Sequence, residues 1–560
     1  MIKKLSKYTP LFVVVILSIF PLFDLFHAGL PNTHDGQDHL ARIANFYLAL
    51  SDGVLVPRWA GNLNWGFGHP ILMFLYPLPS YAASIFHFIG LNYIDSLKIV
   101  FVLSFIFSGV GMYLWIRKIF GIYAGITAAV LYMFAPYRFV NLYVRGAIGE
   151  HVSFAFIPFV LFFITNLLTD KKITKRKLVL NILGISFFTG ALILSHNALS
   201  ILFLLFTFFY AAILAFYNKK VKQFIIVIFG IIYGFLLSAF FWLPAFMEGK
   251  YTLRDIVTGN SEYALRFVDP FKIFIPSWSY GITGQLSVQI GVVHIALILI
   301  SIFALVKFKN NIINKKIFIV TFIFFAFSLF MMVKESNFIW ASFSTLQKFQ
   351  FPWRFLSLTV LSSALLGSYF LTFVKKRNHF VIIFIILCTA IFFFYSTYWK
   401  ANGFLIKDDG FFNKVYYGTT DTGESGPIWS IRFMEEEALS PIEVISGRAL
   451  IQEEFRSSVR HKYLVVAQER SQIRENTLYF PGWSVYVDGR KLDISEIEFQ
   501  DAKNRGVMTF FVDAGEHNME LVFTDTKLRM MANAISLLSF IVLLTLALIG
   551  FVKKNEKNNK

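Results

Sequence analysis

The chain has 560 residues, of which 56% are hydrophobic and 15% charged, far too little polar surface for a soluble protein of this length. Its formal net charge of +18 sits in short basic clusters between apolar runs, the pattern of cytoplasmic loops in a membrane protein, and not of a nucleic-acid-binding surface. One cysteine, Cys388, inside an apolar run, excludes an intrachain disulfide and a thiol metal site.

Apolar runs such as Leu11–Leu22, Ile99–Trp115, Leu199–Tyr217 and Ala534–Val552 have about the length that crosses a bilayer, and inside lipid such runs must be helical. The first follows Lys3, Lys4 and Lys7 without a small-residue cleavage site, so a retained helix is expected. Spans are expected to start near residues 8, 97, 120, 151, 178, 198, 223, 289, 317, 354, 380 and 530. The segment 69–90 is expected not to cross, because Pro70, Pro77 and Pro79 interrupt helix hydrogen bonding. With that one exception every basic cluster falls on one side: Arg117-Lys118, Lys171-Lys172, Lys175-Arg176-Lys177, Lys219-Lys220, Lys307, Lys315-Lys316, Lys375-Lys376-Arg377 and Lys553-Lys554. The expectation is a cell-membrane protein of about twelve spans with both termini cytoplasmic.

The loop 27–96 follows the first span. Leu40, Ile43, Ala44 and Tyr47 recur at helical spacing, predicting an amphipathic surface helix that ends at Asp52-Gly53. Asp35 can cap that helix with Asp38 three residues on; capping does not explain why Asp35, Asp38 and two histidines, His34 and His39, gather there. These are candidate catalytic groups. Residues 56–69, with Arg58, Trp59, Asn62, Asn64, Trp65 and three glycines, mix aromatic and amide groups that suit sugars; an interfacial aromatic belt is the competing reading.

The short outer loop 137–150 brings Arg145, then Glu150 and His151 where the next span begins. An acid there matches the helix dipole, or it faces the first acids while Arg145 holds a phosphate. His196 lies at a tight turn between spans. Loops 248–288 and 334–353 follow, and Trp353-Arg354 opens a further span; Arg354 either snorkels or anchors a lipid phosphate.

Residues 400–527 change character. Alternation at 461–466 and 478–487, the turn Asp488-Gly489, and the runs 506–512 and 519–523 predict an extracytoplasmic β-sandwich-like domain. The expected division is 1–399 for the membrane part, 400–527 for the β domain, and 528–560 for a last helix and basic tail. There is no GxxxxGK[ST] loop and no HExxH signature, which argues against an ATP-driven pump and a zinc hydrolase. No cytoplasmic loop is long enough for a nucleotide-sugar domain, so a sugar donor would be lipid-borne.

The order of these pieces resembles the GT-C superfamily of membrane glycosyltransferases. The carrying features are Asp35-x-x-x-His39 after the first span, Leu40-Ala41-Arg42-Ile43, Val56-Pro57-Arg58-Trp59 and the Pro-rich segment from His69. More narrowly, Arg145–Glu150, Phe351–Phe355 and Tyr479–Gly489 make it similar to the membrane proteins labelled 6-pyruvoyl-tetrahydropterin synthase-related and to the YfhO-like group. The resemblance implies transfer of a sugar from a polyprenyl-phosphate donor to a glycan, lipid or protein acceptor at the outer face, with Asp35 as the base; Asp38 departs from the simplest pattern, and His39 would orient the carboxylate. Arg58, Trp59, Arg145, His196, Trp353 and Arg354 are the expected donor and phosphate contacts. Glu150 and His151 are the candidates for an optional divalent cation, Mg²⁺ or Mn²⁺. The zinc-binding histidine set of the soluble synthase is not found in the sequence. Two other classes compete: a transporter or flippase of lipid-linked glycans, and a non-enzymatic envelope scaffold. Acids at the outer surface, not in mid-span, favour the enzyme.

Overall fold

The computed structural model describes residues 2–259, 262–281, 285–309 and 311–558. The side chains of Lys3, Lys4, Lys7, Lys553 and Lys554, used in the charge argument, lie outside the described part. Among the described residues, nine helices are long and apolar enough to cross a bilayer: Tyr8–Phe26, Tyr93–Phe120, Ile148–Thr169, Lys175–Ser195, Asn197–Tyr217, Ile312–Phe330, Pro352–Phe373, Arg377–Tyr395 and Lys527–Leu548. The span expected near 223 is a pair, Val221–Leu237 and Ala239–Met247, bent by 73°. Those expected near 120 and 289 are the shorter helices Ile122–Met133 and Val292–Lys307; twelve residues rise only ~18 Å, against a hydrocarbon core of ~30 Å. Segment 69–90 folds as Ile71–Phe74 and Leu78–Phe88, parted at Leu75–Pro77 and each too short to cross.

Basic loops meet at one end of the bundle. Asp170 accepts from Lys118 at 2.5 Å and from Lys177 at 3.2 Å, and Lys220 reaches its carbonyl. Glu150, His196 and Arg354 lie at the opposite ends of their helices, on the side of the strands.

Residues 137–150, expected as a short outer loop, are buried throughout. Pro136–Phe139 runs into a π-helical turn, Val140–Val144, whose apolar side chains pack into the bundle, and the Tyr143 hydroxyl donates to the carbonyl of Pro21 at 2.5 Å. Arg138 is fully buried there. Its guanidinium lies 4.5 Å from the Phe154 ring and 5.0 Å from that of Phe105, a cation–π setting, and donates to Ser108 Oγ at 3.2 Å.

The helix predicted after Asp35 runs Gly36–Ser51. It does not lie open on a membrane surface: every residue from His39 to Phe46 is buried. Helix Leu78–Phe88 packs on one side, and residues 409–420 cover another through Tyr416 and Thr420.

Among the described residues there are ten strands: β1 (Leu30–Pro31), β2 (Phe404–Leu405), β3 (Ile442–Ser446), β4 (Ala449–Arg456), β5 (Arg460–Ala467), β6 (Ser471–Leu478), β7 (Trp483–Val487), β8 (Arg490–Lys491), β9 (Val507–Val512) and β10 (Gly515–Phe523). Antiparallel sheets β4-β5-β10-β7-β8 and β3-β6-β9 enclose Tyr463 and Val465, Trp483 and Val485, and Met519 and Leu521, spaced by two along their strands as the pleat requires. Asp488-Gly489 joins β7 to β8 with φ of 51° and 77°, the left-handed pair a two-residue hairpin needs. Trp59, Phe67 and Met73 of the first loop complete this core. Residues 404–421 sit with the helices instead: β2 pairs with β1, and Phe412 and Tyr416 join the bundle core.

Candidate active site

Four chain segments bring polar side chains together at the strand-side end of the bundle. Glu150, in the first turn of Ile148–Thr169, is buried at their centre. Its Oε1 lies 2.9 Å from Arg145 Nη1, 3.5 Å from Arg354 Nε and 3.9 Å from His196 Nε2, and the Tyr137 hydroxyl donates to Oε2 at 2.9 Å. Arg145 also donates to Asn141 Oδ1 at 2.9 Å. Arg354, at the mouth of Pro352–Phe373, donates to the Phe349 carbonyl at 2.7 Å, and among the described residues its buried Nε has no hydrogen-bond partner. Burial works against the Arg145 charge, but Glu150 outweighs it and raises the pKa. Burial drives His196 down to about 3 despite Glu150, so it is neutral. Two guanidinium groups against one carboxylate leave a positive excess.

Asp35 stands beside this cluster. Its backbone N–H donates to the Arg145 carbonyl at 2.8 Å and that of His34 to Val144 at 3.0 Å. Glycine is required opposite: Gly146 has φ +67°, and a Cβ there would meet Thr33 Oγ1 at 2.4 Å. Asp35 occupies the N-cap position but makes no capping bond, and its half-buried carboxylate takes no side-chain hydrogen bond among the described residues. Asp38 is engaged: the Tyr416 hydroxyl donates to its Oδ1 at 2.8 Å. Burial lifts the Asp38 carboxyl above its usual range, against the pull of Tyr416 and Arg42. His39 is buried and kept neutral by burial and by Arg42 and Arg145; only its backbone N–H bonds Asp35, at the carbonyl, so the ring does not orient that carboxylate.

Three expectations fail here. Arg58 is committed to Asp525 at 2.9 Å and to Asn533 at 2.8 Å, and Trp59 is buried against Trp483 and Phe523. Both fasten the first loop to the β-rich part, because an Arg beside a buried Trp there meets protein on every side. The metal pair also fails. Neighbouring helical residues point about 100° apart: His151 bonds the Phe101 carbonyl at 3.2 Å and lies against Phe105, away from Glu150, which two arginines already occupy. No trio of His, Cys, Asp or Glu among the described residues is placed for a metal.

Trp353 packs on Phe351 next to Arg354, its buried Nε1 unbonded. Other members were missed. Tyr76, from the Pro-rich segment, stacks on His196 at 5.1 Å and against Gly149, where a Cβ would meet its ring at 2.2 Å. Arg42 donates to the Thr420 carbonyl at 2.8 Å, and His69 Nε2 lies 3.5 Å from Asp421 Oδ1, both buried. A cation amid the apolar Leu40–Ala44 was a usable signal for Arg42; Asp421, in a Gly/Thr-rich linker, carried none.

A helical bundle with a buried, charged cluster at its strand-side end, joined to a β-rich region, defines a polytopic membrane protein with a candidate site. The family described as 6-pyruvoyl-tetrahydropterin synthase related domain, a membrane protein, matches residues 72–401; the chain belongs to it. An uncharacterized protein of Lactococcus lactis subsp. cremoris is 28% identical over 277 residues, 46% of this chain and 42% of its own length. Among solved structures, the arabinofuranosyltransferase AftD from Mycobacteria is similar (TM-score 0.45, 14% identity, 70% of this chain and 28% of that one). So is the Archaeoglobus fulgidus oligosaccharyltransferase (TM-score 0.43, 14% identity, 74% and 56%).

Proposed function

We propose that the protein is an inverting membrane glycosyltransferase that takes a sugar from a polyprenyl-phosphate carrier on the extracytoplasmic face. The observation that carries this reading is the free Asp35 carboxylate joined through its backbone to the Arg145–Glu150–Arg354 cluster. A lipid phosphate would take the positive excess through charge-assisted bonds from Arg354 and Arg145. The acceptor oxygen attacks the anomeric carbon; its proton passes to Asp35. The bond from that carbon to the phosphate oxygen breaks, and the leaving anion stays with the arginines. Asp38, already bonded by Tyr416, is the poorer base. The basic loops gathered at the far end of the bundle support a cytoplasmic placement for that end.

Asp35→Asn tests it, since Asn caps a helix as well as Asp. Folding should be unchanged while transfer from polyprenyl-phosphate sugar in isolated membranes falls by on the order of a hundredfold or more. Loss only in Asp38→Asn moves the role to Asp38. Full transfer in both variants defeats the mechanism.

A further inference from the structure

Beyond the arginine cluster, a second set of buried polar atoms is under-bonded among the described residues. Among the described residues, Arg42 Nε, Thr420 Oγ1 and His69 Nδ1 make no hydrogen bond, and His69 Nε2 has only the 3.5 Å approach to Asp421, although Arg42 and Thr420 are under a tenth exposed and His69 is wholly buried. They are neighbours through the Arg42–Thr420 bond and the His69–Asp421 approach. Leaving such groups unmet costs about 1–3 kcal/mol each, so a site is built here for something that bonds them.

The strap 416–425 that carries Thr420 and Asp421 is held rigidly. Tyr416 bonds Asp38, Asp421 accepts from the backbone of Gly423 at 2.9 Å and Ser425 at 3.1 Å, and Thr420 is held at φ +66°. On the first-loop side, Asn64 and Trp65 also sit at positive φ, 57° and 59°, fixed by bonds to the Gly418 and Tyr416 carbonyls. That geometry sets the Trp65 ring 6.2 Å from Tyr417, which is 57% exposed. An aromatic pair therefore lies beside buried groups that offer a guanidinium N–H, a hydroxyl and an imidazole.

We infer that Arg42, His69, Thr420 and Asp421 form an acceptor subsite for a neutral, hydroxyl-rich ligand, an oligosaccharide end. Calling the ligand an acceptor rests on the glycosyltransferase reading. Asp38, Asp421 and Glu424 disfavour an anion at this subsite, in contrast to the arginine cluster. Sugar hydroxyls both donate and accept, matching Arg42 and Thr420 as donors and the Asp421 carboxylate as acceptor, while aromatic rings take the apolar sugar face.

The test is hydrogen–deuterium exchange on the full chain in nanodiscs with two probes: short neutral oligosaccharides released by mild acid from the envelope of the source cells, and polyprenyl phosphate. The oligosaccharides should slow exchange in 416–425 and 36–45. Thr420→Val, which keeps the branched shape, and Arg42→Lys should each weaken that protection about tenfold, one lost hydrogen bond. Absence of protection in the unsubstituted protein overturns the subsite, as does equal protection in a folded Thr420→Val protein. Protection of 416–425 by polyprenyl phosphate alone overturns it too. Oligosaccharide protection of 416–425 without polyprenyl-phosphate protection of 137–150 leaves the subsite standing and removes the donor half of the proposed reaction.

Discussion

At the scale of single residues, Glu150 decides what the arginines are for. It is the only carboxylate that Arg145 and Arg354 approach within 4 Å among the described residues. Removing one partner of a buried ion pair strands the other. Glu150→Gln should therefore lower stability by ~3–5 kcal/mol, read as a fall in thermal midpoint in detergent. Arg354→Lys keeps the charge and loses the planar fork. Folding should be preserved while polyprenyl-phosphate binding weakens by about tenfold, the scale of one charge-assisted bond; undiminished binding makes Arg354 a purely structural residue. Arg145, Glu150, His196 and Arg354 were legible in the sequence because polar residues at the edges of apolar runs are conspicuous. Arg58 and Trp59 looked equally conspicuous and proved to be fasteners, a difference set by distant Asp525 and Trp483.

At the scale of elements, the β sandwich shows where alternation succeeds. Strands β9 and β10 and the Asp488-Gly489 turn fall where period-two burial and turn chemistry put them. The expected strand over 478–487 breaks at Gly482, with φ +121°, which alternation cannot reveal. Inside the sandwich Glu475 is fully buried, accepting from His461 Nδ1 at 2.8 Å and Arg456 Nη2 at 2.7 Å. Burial alone would raise its pKa, but His461 and Arg456 bring it down to about 2. A depressed carboxyl stabilises the fold fully above its unfolded value near 4.5, and that stability drains away as pH falls toward 2. The drop corresponds to on the order of 3 kcal/mol. Glu475→Gln should flatten the acid limb of the stability curve between those pH values, followed by tryptophan fluorescence; an unchanged limb assigns the pH dependence to other carboxylates.

At the scale of the whole molecule, hydropathy located all twelve helices that were expected to span, yet two are short and one is bent. Lengths depend on where Gly121, Gly291 and Ser238 end or break each helix, and an apolar run carries no mark of that. Charge predicted a common end for the basic loops, and the Asp170 clasp joins three of them. Cysteine placed at Lys172 should resist membrane-impermeant reagent added to intact cells. Efficient labelling there reverses the proposed orientation.

The pairing of β1 with β2 sets Leu30 opposite Leu405, ends separated by most of the chain. During synthesis at ~5–20 residues per second, the first loop waits for roughly 20–75 s before its partner strand leaves the ribosome. Tyr416, Thr420 and Asp421 arrive later still. For that interval Asp38 and Arg42 lack their partners, on a helix that packs against Leu78–Phe88 on one side and is bare on the side the strap later covers. Biogenesis therefore has a vulnerable window in which the inserted N-terminal half is a substrate for membrane proteases and chaperones, and the window closes with the strap.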